Sequence, residues 1–529
     1  MRNFSLTLTI LFGSLSLAPI PVEAGKRWTI DPDAKRVIGQ VNFESNVEGN
    51  GQSGLANPTD VAADPTTGKI FVIDSTLNRV LRYPSFAVLA NGGPAEAVVG
   101  QPDFETYAAN TTDRGLIFPP AITVDATGRL WVVDGANNRV LWFDNASQLD
   151  NEPVADGVLG QDGFGTMDSG TLADRFNAPN GIAVDASGNV FVGDTGNSRV
   201  LVFFANALAN GVDASRVLGQ EDFTSPGVAT DQDGMMAPRG VAVDSAGNLF
   251  VADNGNHRVL RFDAAAGKDS GADADAVLGQ STFDTRQAGA GPSGMWSPWD
   301  VIVDSSGRLW VAEFSGKRVI GFTSAASLGN GADADLVLAQ MDFLSRVEGL
   351  TASRVGIPDG LGTDASGRVY VTDSVNNRVL VFEPDAHFPD LTIGGKLSSL
   401  VGENVYDASG ASQSRTVRSG KKKIKLVGFL GNDGNLPDQY QVAGAGSNRK
   451  FAVKLFWVSG GRANVSAAVK AGAFVTNPFP AGSVSQFEWL VKPKSSIRAK
   501  RGNYNAWWLA SSVTDGEADR ATGKVRYRP

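Results

Sequence analysis

Carboxylates recur at two fixed positions in the first part of this 529-residue chain, and either set could serve a metal site or acid–base chemistry. The first set follows short apolar runs and comprises Asp64, Asp125, Asp185, Asp244, Asp304 and Asp364. The second set ends runs such as NLFVAD and comprises Asp74, Asp134, Asp194, Asp253, Glu313 and Asp373. An arginine stands five residues after each member of the second set, at Arg79, Arg139, Arg199, Arg258, Arg318 and Arg378. Because arginine can hold a carboxylate through two parallel hydrogen bonds, we interpret both sets as structural.

The elements that position these charges repeat six times, with a period near 60 residues. One copy reads VAVDSAGNLFVADNGNHRVLRF (241–262), and the others begin near residues 61, 122, 182, 301 and 361. Each copy predicts three strands, the first two joined by a turn in which Asp bonds its own backbone and Gly takes a positive φ. A fourth strand of the VLGQ type follows. Four strands repeated radially are typical of propeller blades, so the sequence predicts an all-β fold.

The repeated motif P-x-[GD]-[IV]-x-V-D…G-x-[IVL]-[FYW]-V-x-D…N-x-R-V-L resembles the NHL repeat over about residues 37–385. This resemblance implies a six-bladed β-propeller of the NHL type. The G-Q-x-x-F motif that follows the fourth strand also occurs before the first blade, and none follows the last. We therefore expect VIGQ (37–40) to be the outer strand of the last blade, which would close the ring and cover its edge.

Other groups suited to catalysis are scarce. The chain has two histidines and no cysteine, which excludes disulfides, thiolate metal sites and cysteine nucleophiles. The residues that match His257 in the other copies are Asn78, Asn138, Ser198, Lys317 and Asn377. No chemistry needs that set, so we interpret His257 as a solvated turn residue and His387, in PDAHFPD, as a loop residue.

Ligand-binding residues are expected where the blades differ, in the loops that lead into each first strand and edge the channel. Blade five departs most, with SGMWSPWDV and an aromatic Phe314. We expect the channel mouth to contain Asp60, Asn180, Arg239, Trp296, Trp299, Asp300 and Asp359. Aromatic rings beside these charges could stack a sugar or another planar ligand. Trp310 occupies a repeated strand position and is expected in the core.

Two enzyme families that resemble this fold supply the alternatives. Peptidyl-hydroxyglycine lyases need several histidine zinc ligands, which two histidines cannot provide. Gluconolactonase-type propellers hold a divalent cation with Glu, Asn and Asp. Here Asn180, Asp300 and Asp359, with Asp60 nearby, could imitate that oxygen set, although no Glu lies at the corresponding places. Calcium is therefore the one cofactor left open, and otherwise no cofactor is expected.

The N-terminus has the order of regions found in a secretory signal peptide. Arg2 precedes an apolar run from Leu6 to Leu17, and small residues stand at Val22 and Ala24. We assign residues 1–24 to the signal; the run is too short for a transmembrane helix. The sequence thus predicts a secreted bacterial protein, periplasmic or extracellular and monomeric. Because RNA-binding NHL propellers use a basic face and this one is acidic, we expect no nucleic-acid partner.

The pattern changes after the propeller, to which we assign residues 25–388. From residue 395 onward the chain carries 21 Lys and Arg against 8 Asp and Glu, although the whole chain has a net charge of −9. Seven short runs, including KFAVKLFWVSGG and ANVSAAVKAG, predict strands and an immunoglobulin-like β-sandwich over 389–529. Lys421, Lys422, Lys423 and Lys425 form a cluster that could anchor the protein to an anionic envelope polymer.

The expected function is non-enzymatic recognition of a carbohydrate, peptide or protein at the channel mouth, with the basic module for anchoring. A metal-dependent hydrolase or lactonase and a structural cell-envelope component remain as alternatives. The sequence names no ligand.

Overall fold

The computed structural model describes Trp28, residues 31–384 and a set of segments nearer the C-terminus. These segments are 389–394, 414–419, 424–432, 440–444, 451–457, 463–471, 474–475, 484–493, 502–512 and 518–527. Residues 28–384 form one compact unit, and the later strands belong to another. The proposed signal peptide (1–24), His387 and three of the four clustered lysines (Lys421, Lys422 and Lys423) lie outside the described residues. In the segments that are described, no helix is long and apolar enough to cross a bilayer.

Residues 28–384 form six four-stranded antiparallel sheets, the blades of a β-propeller. In chain order the strands are β1 (Arg36–Ile38), β2 (Pro58–Ala63), β3 (Ile70–Asp74), β4 (Arg79–Tyr83), β5 (Ala97–Val99), β6 (Ala121–Val124), β7 (Leu130–Asp134), β8 (Arg139–Phe143), β9 (Gly157–Leu159), β10 (Gly181–Val184), β11 (Val190–Asp194), β12 (Arg199–Phe203), β13 (Arg216–Leu218), β14 (Pro238–Val243), β15 (Leu249–Asp253), β16 (Arg258–Phe262), β17 (Ala276–Leu278), β18 (Pro298–Val303), β19 (Leu309–Glu313), β20 (Arg318–Phe322), β21 (Leu336–Leu338), β22 (Pro358–Thr363), β23 (Val369–Asp373) and β24 (Arg378–Phe382). Blades 1 to 5 are β2–β5, β6–β9, β10–β13, β14–β17 and β18–β21, and blade 6 is β22–β24 with β1. The predicted all-β, six-bladed propeller is confirmed.

The first strand of the chain completes the sixth blade. β1 pairs antiparallel with β24, and Arg36 lies opposite Val381. The Gln40 side-chain amide then donates to the Asn377 carbonyl at 2.8 Å. Because β1 covers an edge of β24 that would otherwise lack a partner, the ring is closed by non-local pairing. The expectation that residues 37–40 close the ring is confirmed.

The hydrophobic core lies between neighbouring blades, because each blade is covered on both faces. Strands buried on both faces read as nearly continuous apolar runs, which explains sequences such as LFVAD and RVLRF. Trp310 is fully buried, as predicted, and its indole N–H donates to Asp304 at 3.2 Å. It also contacts Trp28 edge to face, which ties the segment before β1 to the core between blades 5 and 6.

Each blade contains one buried ion pair formed by the second set of repeated acids and the repeated arginines. We call these six pairs the hubs. In blade 4 the Asp253 and Arg258 side chains are fully buried and lie 2.7 Å apart. The remaining guanidinium N–H groups donate to the carbonyls of Thr230 and Gly234 in the preceding loop and of Phe283 in the following one. The hubs therefore hold the loops on both sides of every blade.

The first set of repeated acids shapes the turns at the opposite ends of the strands. The Asp64 carboxylate accepts the backbone N–H of Thr66 at 2.8 Å, and Gly68 closes the turn with φ +71°. In other blades the second carboxylate oxygen accepts a side chain of the next strand, as Asp125 accepts the Trp131 indole N–H at 3.0 Å. These contacts agree with the structural interpretation of both acid sets.

The loops that lead from each outer strand to the next inner strand lie on one face of the propeller, which we call the top face. They span 39–57, 100–120, 160–180, 219–237, 279–297 and 339–357. Short 3-10 helices lie in the top-face turns at Ser75–Leu77, Gly135–Asn137, Thr195–Asn197, Asn254–Asn256 and Ser374–Asn376, and at the other end of the blades at Ala146–Gln148, Ala205–Ala207, Ala265–Gly267 and Ala325–Ser327.

The C-terminal segments form two five-stranded sheets. Their strands are β25 (Pro389–Gly394), β26 (Ser414–Ser419), β27 (Ile424–Asn432), β28 (Tyr440–Gly444), β29 (Phe451–Trp457), β30 (Ala463–Asn464), β31 (Phe474–Val475), β32 (Val484–Pro493), β33 (Gly502–Ser512) and β34 (Ala518–Tyr527). The orders are β25-β27-β32-β29-β30 and β26-β34-β33-β28-β31. The strand prediction for ANVSAAVKAG is wrong, since helix α1 (Ser466–Lys470) follows the two-residue β30. Its alanines favour helix, and Val469 is the buried position. The immunoglobulin-like sandwich stays a prediction.

Candidate functional site at the channel mouth

A cavity of about 230 Å³ runs along the propeller axis and is lined by the inner strands of all six blades. Its walls are mainly Val, Ile, Leu and Ala. Asp60 and Asp300 are the two ionisable residues among its lining, and both stand near the starts of their strands, at the top face. The residues that line the cavity are therefore mainly apolar, polar atoms supply the larger part of its exposed surface, and two carboxyl groups lie at its mouth.

Asp60 and Asp300 join inner strands of neighbouring blades. The two oxygens of Asp60 accept the N–H groups of Val61 and of Ile122 in blade 2, at 2.7 and 2.8 Å. Asp300 accepts the N–H of Leu361 in blade 6 at 2.7 Å. Burial raises the pKa of Asp300 to about 7; it also raises the pKa of Asp60 well above its usual range, with a further contribution from the Asp300 charge.

Glycines at the matching position of other blades make this close approach possible. A Cβ atom on Gly240 would lie 2.0 Å from Oδ1 of Asp300, and one on Gly360 would lie 2.5 Å from Oδ1 of Asp60. A side chain at either position would push the carboxylate away from the strand it bonds. Glycine at 240 and 360, directly beside the two aspartates, is thus a requirement of packing.

Arg239, Trp299 and Asp359 form a chain of contacts across blades 4, 5 and 6. The Arg239 guanidinium carbon lies 3.4 Å from the centre of the Trp299 ring, which stacks on Phe314 at 4.4 Å and 22°. The Trp299 and Ser374 side chains lie near the Asp359 carboxylate, and each favours its ionised form. Burial raises the pKa of Asp359 to about 7 and lowers that of Arg239 to about 10.

Arg239 is the charged group with the fewest protein contacts at the mouth. Its Nε is buried and has no hydrogen-bond partner, and the residues described here supply no ion pair to its guanidinium. The negative charge of Asp359 acts on it from a distance. Buried donors in proteins are nearly always hydrogen-bonded, so this one calls for an explanation.

The structure brings together five of the seven predicted mouth residues: Asp60, Arg239, Trp299, Asp300 and Asp359. Trp296 is 36% exposed, and its ring contacts Arg346 of the next loop at 4.3 Å. Asn180 is half-buried, and its backbone N–H donates to the Gly193 carbonyl at 2.9 Å. Phe314 also belongs to the site, because its ring stacks on Trp299. Its departure from the repeat was visible in the sequence, but its contact with Trp299 was not.

The weak metal candidates Asn180, Asp300 and Asp359 do not form a recognisable ion site. Across residues 31–384 and the other described segments, no group of three His, Asp or Glu side chains could hold a metal ion. Asp300 directs one oxygen to a backbone N–H, and Asp359 lies near Trp299 and Ser374. These contacts favour a role in positioning.

The sequence led us to interpret His257 as a solvated turn residue, but in the structure its side chain makes a contact with the next blade. It is half-buried, and its Nδ1 accepts the backbone N–H of Ser297 at 3.1 Å, directly before Pro298 and β18. Asn78, Asn138, Ser198 and Asn377 make the same contact with the next blade. Lys317 cannot accept, and its Nζ lies 3.5 Å from the Gly356 carbonyl instead. We call these side chains the latches. These contacts were not recognised in the sequence, because Asn, Ser and neutral His are different residue types. All three nevertheless supply a side-chain hydrogen-bond acceptor.

Comparison with known proteins agrees with the fold. The family model described as NHL repeat matches residues 176–203, 236–262 and 356–382, in blades 3, 4 and 6. No curated protein matches the chain. Among solved structures, a gluconolactonase from Xanthomonas campestris is 16% identical with a TM-score of 0.37, covering 68% of this chain and 98% of that one.

Two lyases are similar at the same level. A streptogramin B lyase is 11% identical with a TM-score of 0.37, covering 64% of this chain and 95% of that one. A virginiamycin B lyase from Staphylococcus aureus is 13% identical with a TM-score of 0.35, covering 64% and 88%. Likeness at these scores says nothing of this chain's activity. The strand order shows that residues 28–384 form a six-bladed β-propeller, and the family model identifies NHL repeats in three of its blades.

Proposed function

We propose that this chain is an exported, non-enzymatic binding protein that recognises a ligand at the channel mouth and is anchored by its basic C-terminal module. The observation that carries the proposal is Arg239, a half-buried cation whose Nε has no hydrogen-bond partner and which lies near Asp359 of the mouth. Pockets with a few convergent polar groups on otherwise apolar walls are the usual form of small-ligand sites. A carbohydrate, a peptide or a protein segment could present the complementary group.

The contacts of the mouth favour binding over catalysis. Asp60 and Asp300 accept backbone N–H groups from neighbouring blades, so their carboxylates are held in structural contacts. The Trp299 ring already contacts Arg239 and Phe314. A ligand would therefore meet the guanidinium stacked on Trp299 rather than an open indole face.

One observation favours the lactonase as a second candidate. Burial raises the pKa of both Asp300 and Asp359 to about 7, within the range in which a carboxyl group can exchange protons near neutral pH. Perturbed carboxyl groups in a cleft are typical of active sites, although structural networks also produce them. A purely structural envelope component is the third candidate.

A defined ligand panel separates these candidates. The full chain is titrated by calorimetry with glucose, glucuronate, diglycine and glucono-δ-lactone, with and without calcium chloride, and product formation from the lactone is followed in parallel. We expect saturable binding without turnover that is lost in Trp299→Ala and retained in Trp296→Ala, whose ring lies against Arg346. Calcium-dependent lactone hydrolysis that disappears in Asp300→Ala would instead favour the enzyme.

The anchoring role is tested separately. The full chain should sediment with isolated cell-envelope material at low salt and be released as salt rises, because exposed charges are screened. Replacing Lys421, Lys422, Lys423 and Lys425 by Glu should abolish sedimentation. If the replaced chain sediments as before, the lysine cluster is not the anchor.

A further inference from the structure

We infer that Arg239 binds an anionic group of the ligand, a carboxylate or a phosphate, at the top face of the propeller. The inference rests on the proposed binding function and names the chemical class that the mouth selects. The proposed function alone would allow a neutral ligand at the mouth, whereas this inference requires a ligand with a negatively charged group.

The first support is the state of the arginine itself. Arg82 also has a buried Nε without a partner, but its NH1 donates to the Leu149 carbonyl at 2.6 Å and it pairs with Glu96. Arg239 has neither kind of contact in the described part of the chain. Its planar set of donors matches a carboxylate or a phosphate, which can accept two parallel hydrogen bonds.

The second support is that the guanidinium is held in place before any ligand arrives. Arg239 stacks on Trp299, and Trp299 is held in turn by stacking on Phe314. Trp299 and Phe314 replace Thr, Pro, Asn, Ser or Gly at most matching positions of other blades, so this support exists in one sector of the ring. A preordered side chain loses less conformational freedom when it binds.

The neighbouring acids set the pH at which an anion can enter. The ionisable groups that share the mouth are Asp359 on β22, Asp300 on β18 and Asp60 on β2. When ionised they would repel an anion; when protonated they carry no charge and can donate a hydrogen bond. Since burial raises the pKa of Asp300 and Asp359 to about 7, anion binding should strengthen as the pH falls through 7.

Residue-level chemical modification tests the inference on the full chain without knowledge of the ligand. Phenylglyoxal reacts with deprotonated guanidinium groups, and mass spectrometry measures its addition to Arg239 as a function of time. Arg346 is the matched control, because it lies over a Trp ring at 4.3 Å on the same face but outside the mouth. The additions are acetate, inorganic phosphate and, as a neutral isostere of acetate, acetamide.

We expect acetate or phosphate to slow the modification of Arg239 several-fold while acetamide has no effect and Arg346 reacts as before. Protection by acetate alone assigns a carboxylate, and protection by phosphate alone assigns a phosphate. Equal protection by acetamide, or no protection by either anion, overturns the inference. Protection that weakens from pH 6.5 to pH 8 supports the role given to the acids, and the opposite trend contradicts it.

A variant pair gives a second readout. Anion binding beside Trp299 should change the tryptophan fluorescence of the full chain. Arg239→Gln should abolish this change, whereas Arg239→Lys should keep part of it because the charge remains. If glucose binds through Trp299 but no anion protects Arg239, the binding proposal stands and the anion inference fails. If anions protect Arg239 but calcium-dependent lactone hydrolysis is found, the anion inference stands and the non-enzymatic proposal fails.

Discussion

The hubs and the channel mouth are built from the same residue types, aspartate and arginine, but they differ in how completely the charges are partnered. In blade 1, Arg79 bonds Asp74 at 2.9 Å and donates its other N–H groups to loop carbonyls. Both side chains are fully buried. At the mouth, Arg239 contacts an aromatic ring, and Asp359 lies near Trp299 and Ser374 without closing an ion pair with it.

This difference follows from burial. The charges of the hubs are fully buried and are completely partnered, because a buried charge without a partner is costly. The Arg239 side chain is only half-buried, so solvent or a ligand can supply hydrogen bonds that the protein does not. The ion pairs of the hubs are complete and stabilise the blades, whereas Arg239 at the mouth has donors that a ligand could engage.

The largest expected effect concerns ring closure, on which both regions depend. Deleting residues 26–43 removes β1, including Val37 and Ile38, which are fully buried and contribute about 1.5–3 kcal/mol each. We expect the melting temperature measured by calorimetry to fall by about 10 °C or more. A chain that lacks only residues 1–25 is the control. An unchanged melting curve would show that blade 6 is stable without its outer strand.

The next effect compares a hub with an ordinary ion pair in the same blade. Arg79→Met leaves Asp74 buried without its cation and should lower the free energy of unfolding by about 3–5 kcal/mol. Lys69→Met removes a partly exposed pair with Glu96 and should cost about 1 kcal/mol or less. Urea unfolding followed by circular dichroism measures both. Similar losses in the two variants would remove the distinction between hubs and surface pairs.

The same comparison explains how much could be predicted from the sequence. Six-fold repetition revealed the hubs, the Asp64-type turns and the closing strand, because each needs one arrangement that every blade reuses. Alignment also located the register of the mouth. It could not show that Arg239 stacks on Trp299 of the neighbouring blade, since contacts between blades depend on which side chains meet there.

Two residues show the same limit of prediction from the sequence. Trp296 lies only three residues before Trp299, yet its ring turns to Arg346 and away from the other mouth residues. His257 carries an acceptor that Asn and Ser supply in other blades, so its residue type concealed a shared role. In both cases the backbone position was predictable and the neighbour across the blade boundary was not.

A smaller effect concerns the proton on a mouth acid. Burial raises the pKa of Asp359 to about 7, while the unfolded chain has the ordinary value near 4. Between these values the folded chain holds a proton that the unfolded chain has lost. The contribution of Asp359 to stability is therefore complete below pH 4 and decreases as the pH rises to 7.

Asp359→Asn should remove this dependence, because the amide does not titrate and can still accept a hydrogen bond. Relative to the unmodified chain, the variant should gain stability as the pH rises from 5 to about 7 and gain little more by pH 8, when stability is measured by urea unfolding. Asp150→Asn, on an exposed loop, is the control and should show no such trend. A flat difference for Asp359→Asn would mean that the mouth acid is as well solvated as a surface group.

The smallest effect concerns the latch between blades 4 and 5, which holds the loop that carries Trp299. His257→Ala removes the acceptor of the Ser297 N–H and should cost about 1 kcal/mol, whereas His257→Asn recreates the latch found at Asn78 and Asn138 and should cost little. Burial lowers the pKa of His257, so the folded chain favours the neutral ring that can accept. Its contribution to stability is complete above the ordinary histidine pKa near 6.5 and is lost as the pH falls from there through the lower pKa of the folded chain. Unfolding curves at pH 7.5 and 5.5 should therefore separate the unmodified chain from His257→Asn only at the lower pH. If the two chains lose stability equally on acidification, protonation of His257 does not open the latch, and the loop of the mouth is held by its other contacts.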